Sequence, residues 1–206
     1  MRAPNLAELR ANLALRITNP VIGILGKSGI KPDALTFTGL AINIGAAYVI
    51  ATGHFPLGGI LILVAGLFDL LDGALARFAK KTTKFGAILD SAVDRISEAA
   101  IFCGLLVWYM PGRSEILLIF AVLIGSFLVS YIRARAEGLG LECKGGLFTR
   151  AERVIVLTVG LLVGQILIAL GILVVFIYVT VIQRLIYVRK ECTKGKVTGP
   201  CGGIDR

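Results

Sequence analysis

Asp69, Asp72, Asp90 and Asp94 set four carboxylates within 26 residues of a strongly apolar region, as DLLDGALAR, eight residues, then GAILDSAVDR, with Arg77 and Arg95 closing the two segments. An ionised group at membrane depth costs roughly 3 kcal/mol on insertion scales, so keeping four of them argues for function. Asp69 and Asp72 are three apart and Asp90 and Asp94 four apart, so each pair shares one helical face, and the short link between them brings the two faces together. Packed carboxylates repel and protonate unless a cation neutralises them. With oxygen ligands and no His or Cys nearby, magnesium, manganese or calcium suits the set better than zinc. Two such ions can clamp a diphosphate during in-line displacement. Ion pairing with Arg77 and Arg95 is the alternative, but it accounts for only two of the four charges. Gly73, Ala74, Ala76, Gly86 and Ala87 let helices approach closely around the acidic groups.

These side chains need a membrane scaffold. The chain has 206 residues, 56% of them hydrophobic, and a mean hydropathy of +0.85, which marks an integral membrane protein. Apolar stretches run over Ala34 to Thr52, Leu57 to Ala76, Phe85 to Met110, Ser114 to Tyr131 and Val154 to Val188. As one helix the last would be about 52 Å long, against a bilayer core of about 30 Å, so a break is expected near Gly164 and Gln165. The expected fold class is therefore all-α, with six transmembrane helices, the last two short or unequal.

Basic residues collect before the first span, between the second and third, between the fourth and fifth, and after the last. The intervening loops, around His54, Arg113 and Gln165, hold one basic residue in total. Both termini are thus expected on the cytoplasmic side of a cell membrane, with the acidic cluster on that same side. Topology and anionic headgroups explain the net charge of +9; no aromatic-interleaved basic patch points to nucleic acid. The cysteines 103, 143, 192 and 201 show no paired spacing and are read as neither disulfides nor zinc ligands.

Residues 5 to 27 place Leu6, Leu9, Leu13 and Ile17 on one face, the pattern of an amphipathic helix lying in the membrane interface. Pro32 and Asp33 are read as a turn into the first span. The chain divides into a juxtamembrane segment over 1–33, a membrane domain over 34–190 and a mobile cytoplasmic tail over 191–206. No cleavable signal peptide is expected.

The eight specified positions from Asp69 to Asp94 match the signature of the CDP-alcohol phosphotransferases, and the chain resembles that family over almost its whole length. The resemblance implies transfer of a phosphatidyl-type group from a CDP-activated lipid to an alcohol, with release of CMP. It implies that Asp69, Asp72, Asp90 and Asp94 hold two divalent ions, magnesium or alternatively manganese, and that Asp94 also deprotonates the acceptor hydroxyl. CDP is expected against Gly73, Arg77, Thr83 and the segment Ile30, Lys31, Pro32 and Asp33. A homodimer is implied as well.

The acceptor must be read elsewhere. Arg133, Arg135, Arg150, Arg153 and Arg184 fall near the cytoplasmic ends of the last three helices, and several guanidinium groups facing one cavity would form a phosphate site. The stretches YIRARAEGLG, TRAERV and IQRL resemble those of the phosphatidylinositol phosphate and archaetidylinositol phosphate synthases. That resemblance implies inositol 1-phosphate as acceptor, its phosphate on Arg133, Arg153 and Arg184. Glycerol 3-phosphate, used by phosphatidylglycerophosphate synthases, is the second choice. A divalent-cation transporter is the alternative of another class, but it would want acidic groups along a path across the membrane rather than at one end.

Overall fold

The computed structural model describes residues 32–78, 83–141 and 148–193. They form six helices and, among the described residues, no strand: α1 (Pro32–Ala51), α2 (Phe55–Phe78), α3 (Lys84–Tyr109), α4 (Arg113–Gly138), α5 (Arg150–Val163) and α6 (Ile166–Thr193). The amphipathic segment over 5–27 and the tail beyond Thr193 lie outside the described residues.

Local chemistry sets the helix ends. Pro32 and Asp33 do not form a turn ahead of α1, as expected, but open the helix itself. Proline suits the first helical position because its missing N–H would be unpaired there, and an acidic group favours the positive helix start. Thr83 caps α3, its Oγ1 accepting the Gly86 N–H at 2.9 Å. Thr149 and Glu152 form a capping box at α5, the Thr149 N–H donating to Glu152 Oε2 at 2.8 Å. The break between the last two helices falls at the expected place, where Gly164 takes the left-handed conformation (φ 73°) and ends α5 after 14 residues. At its other end α6 continues three residues past the expected start of the tail, with Thr193 Oγ1 donating to the Arg189 carbonyl at 2.8 Å.

Four helices, α1, α2, α4 and α6, are long and apolar enough to cross a membrane. The charges of α3 and the shortness of α5 set those two apart. Each helix packs on two others, closing a ring in the order α1, α2, α5, α6, α4, α3. Its packed interior centres on Phe102, Leu105, Ile119, Leu161, Leu170 and Ile177. Close approach of α1 and α3 depends on Gly104, where a Cβ would collide with the Ala47 backbone. Large apolar side chains, such as Tyr48, Leu63, Val107, Leu117, Ile155 and Ile168, are exposed on every helix. In water so extensive an apolar exterior would aggregate; facing lipid, it is the expected surface.

Candidate active site

The last turns of α2 and the first turns of α3 carry the acidic residues. Carboxylate oxygens of Asp69, Asp72 and Asp90 lie within 4.8 Å of one another. Asp72 is buried, and Thr36 of α1 donates a 2.6 Å hydrogen bond to its Oδ2. Three carboxylates converging from two helices, with no imidazole or thiolate among them, fit a hard divalent cation. Asp94 stands beside this group, its Oδ1 2.8 Å from Arg150 Nη1 and its Oδ2 3.4 Å from Arg95 Nη1. The same Arg150 nitrogen lies 2.7 Å from Asp69 Oδ2.

Two cavities meet at this centre. The first, about 530 Å³, opens into the interior of the ring: Asp69, Asp72 and Asp94 border it, and most of its remaining lining is apolar, including Leu40, Ile62, Ile101 and Leu173. The second, about 690 Å³, is lined by side chains of α3, α4, α5 and α6, among them Asp90, Asp94, Arg133, Arg150, Arg153 and Arg184. Asp94, Arg150 and Arg153 border both.

All three arginines expected to hold the acceptor phosphate thus line one cavity with Asp94. They differ in surroundings. Arg153 and Arg184 are buried, with Arg153 Nε donating to Glu98 Oε1 at 3.2 Å and Arg184 donating to the Val129 carbonyl. Arg133 is exposed and pairs with Glu137 at 2.8 Å. Of the residues expected against CDP, Gly73 follows Asp72 on α2, Thr83 caps α3, and Asp33 is exposed at the start of α1. Ile30, Lys31 and the side chains of Pro32 and Arg77 lie outside the described residues. Cys103 and Cys192 are free thiols, and cysteines 143 and 201 fall outside the description.

Glu98 escaped the sequence reading, although it continues the four-residue spacing of Asp90 and Asp94 by one more turn of α3. The pattern Thr149-x-x-Glu152, which fixes where α5 begins and so where Arg150 and Arg153 point, is likewise a capping signature visible in the sequence. That Arg150 is the cation bridging Asp69 and Asp94, from 81 residues away in the first case, has no local signal.

Residues 30–186 match the model of the CDP-alcohol phosphatidyltransferase family. The phosphatidylinositol phosphate synthase of Mycobacteroides abscessus is 41% identical over 149 residues, covering 70% of this chain and 68% of the relative. The archaetidylinositol phosphate synthase of Methanothermobacter thermautotrophicus is 37% identical over 171 residues, 80% of this chain and 86% of the relative. The crystal structure of Mycobacterium tuberculosis phosphatidylinositol phosphate synthase with CDP-DAG bound superposes with a TM-score of 0.77 at 35% identity, covering 93% of this chain and 98% of that one. The same enzyme in complex with manganese and citrate gives 0.78 at 35% identity, over 92% of each chain.

Proposed function

Because the chain belongs to the CDP-alcohol phosphatidyltransferase family, and is thus an enzyme of phospholipid synthesis, we propose that it joins a CDP-activated lipid to inositol 1-phosphate, releasing CMP. The donor is CDP-diacylglycerol or CDP-archaeol. The observation that carries the acceptor is the cavity that Arg133, Arg153 and Arg184 line together with Asp94, since several guanidinium groups on one space suit a phosphate already on the acceptor. The relatives named for inositol phosphate products support the same choice.

In this reading the lipid chains occupy the apolar cavity and the diphosphate lies over the carboxylates. Asp69, Asp72, Asp90 and Asp94 hold two divalent ions, which when bound draw negative charge from the diphosphate and acidify the acceptor hydroxyl. Gly73, Arg77, Thr83 and the Ile30–Asp33 segment hold CDP. Arg133, Arg153 and Arg184 fix the acceptor phosphate, so that its hydroxyl oxygen faces the lipid-bearing phosphorus. Asp94 takes the hydroxyl proton as the new P–O bond forms, and the bond to the CMP oxygen breaks. Arg150, paired with Asp69 and Asp94, must share or yield these carboxylates when cations enter.

The protein would sit in the cell membrane with six spans and both termini cytoplasmic, as the alternation of basic residues between loops supports, and would form the homodimer that the family resemblance implies. Magnesium is the expected ion. Transfer assays with CDP-diacylglycerol and magnesium test the acceptor: CMP release with inositol 1-phosphate and not with glycerol 3-phosphate is the expected result. Release with glycerol 3-phosphate alone would instead make the protein a phosphatidylglycerophosphate synthase.

A further inference from the structure

Glu98 lies on α3 one turn beyond Asp94 and borders the apolar cavity, but not the arginine-lined one. Its Oε1 accepts hydrogen bonds from Ser126 Oγ of α4 at 2.6 Å and from Arg153 Nε of α5 at 3.2 Å, while Oε2 is buried with no hydrogen-bond partner among the described residues. Arg153 is 4% exposed. A guanidinium so enclosed needs a compensating charge, and Glu98 is its salt-bridge partner. The contact uses Nε, leaving both terminal nitrogens to face a ligand. We propose that Glu98, steadied by Ser126, is a positioning residue that orients Arg153 for the acceptor phosphate without touching the acceptor. This rests on the reading of Arg153 as a phosphate ligand.

The arrangement joins three helices at one carboxylate oxygen. Ser126 is fully buried, so it limits Glu98 to one orientation, and Glu98 in turn limits Arg153. A freely rotating arginine would have to be ordered anew each time the acceptor binds, which weakens binding more than it slows chemistry.

The test measures kcat and both KM values with CDP-diacylglycerol, inositol 1-phosphate and magnesium for Glu98→Ala, Glu98→Gln, Arg153→Ala and the double alanine variant. Glu98→Ala is expected to raise the acceptor KM about ten- to hundredfold, the effect of one lost charge-assisted contact, with the donor KM unmoved. Glu98→Gln, which keeps an oxygen acceptor, should recover part of that loss. The double variant should bind the acceptor no worse than Arg153→Ala alone, because Glu98 acts through Arg153. Losses that multiply, or a donor KM that rises equally, would overturn the inference. If Arg153→Ala raises the acceptor KM and Glu98→Ala does not, the positioning role fails by itself; if Arg153→Ala changes nothing, the phosphate reading fails first. Should Glu98→Ala not fold, Ser126→Ala poses the same question: a selective rise in acceptor KM supports the role, and an unchanged one opposes it.

Discussion

Arg150 Nη1 of α5 stands 2.7 Å from Asp69 Oδ2 of α2, an ion pair between residues 81 apart in sequence. Because the same nitrogen also meets Asp94 Oδ1, one fixed cation ties both acidic helices to α5, in the place where mobile cations are expected to act. On the proposed reading, Arg150 and the divalent cations share the task of neutralising the carboxylates.

Replacing that cation should make the protein depend more on metal to stay folded. Arg150→Ala is expected to lower the unfolding midpoint by about 2–4 °C in EDTA, corresponding to about 1 kcal/mol, and by less with magnesium or manganese present. Thermal unfolding in detergent checks this, and an equal loss in both conditions would mean that Arg150 only packs.

Asp94→Asn removes the proposed proton acceptor while preserving shape. Turnover is expected to fall by about 10²- to 10⁴-fold, with CDP-lipid still bound. Retention of more than a tenth of the turnover would assign the proton to another group.

Thr36→Val deletes the hydroxyl that holds buried Asp72. A hydrogen bond to a charged group contributes about 1.5–3 kcal/mol, so the magnesium concentration for half-maximal activity should rise roughly tenfold or more, and Thr36→Ser should restore it. An unchanged magnesium requirement in the valine variant would show that Asp72 is held without Thr36.

Arg184→Ala should raise the acceptor KM more than Arg133→Ala does, since Arg184 is buried while Arg133 is exposed and already paired with Glu137. The reverse order in steady-state kinetics would move the phosphate toward the solvent side of the cavity.

Gly104→Ala should destabilise the protein by about 1–3 kcal/mol, the usual cost of overpacking, because the added methyl would strike the Ala47 backbone and push α1 from α3. The measurement is the unfolding midpoint; one equal to that of the parent protein would show that the two helices can separate freely.

The acidic centre and most of the helices were legible in sequence because each depends on local spacing: carboxylates three and four apart, about twenty apolar residues per span, and a glycine where a 35-residue run had to break. The order of helices around the ring was not. A helix between lipid and a packed interior is apolar on both sides, so Tyr48 facing outward and Ala46 facing inward carry no contrast that would orient α1. Partners distant in sequence were hidden for a different reason. Arg150 at Asp69, and Glu98 between Ser126 and Arg153, arise only when separate helices meet. The hydrogen bond from Thr36 to Asp72, 36 residues on, likewise forms only when α1 packs on α2.

The wall of Asp94, Arg150 and Arg153 that divides the two cavities bears on how the enzyme could diversify. On the proposed reading, tail length and ester or ether linkage are judged in one chamber and the polar headgroup in the other. Substitutions at Ile62 or Leu173 could then retune the lipid without disturbing the alcohol, and changes around Arg184 the converse. Both guests can be resident together, so double-reciprocal plots should intersect, as for a ternary complex, rather than run parallel. A compound spanning the wall would compete with both substrates at once.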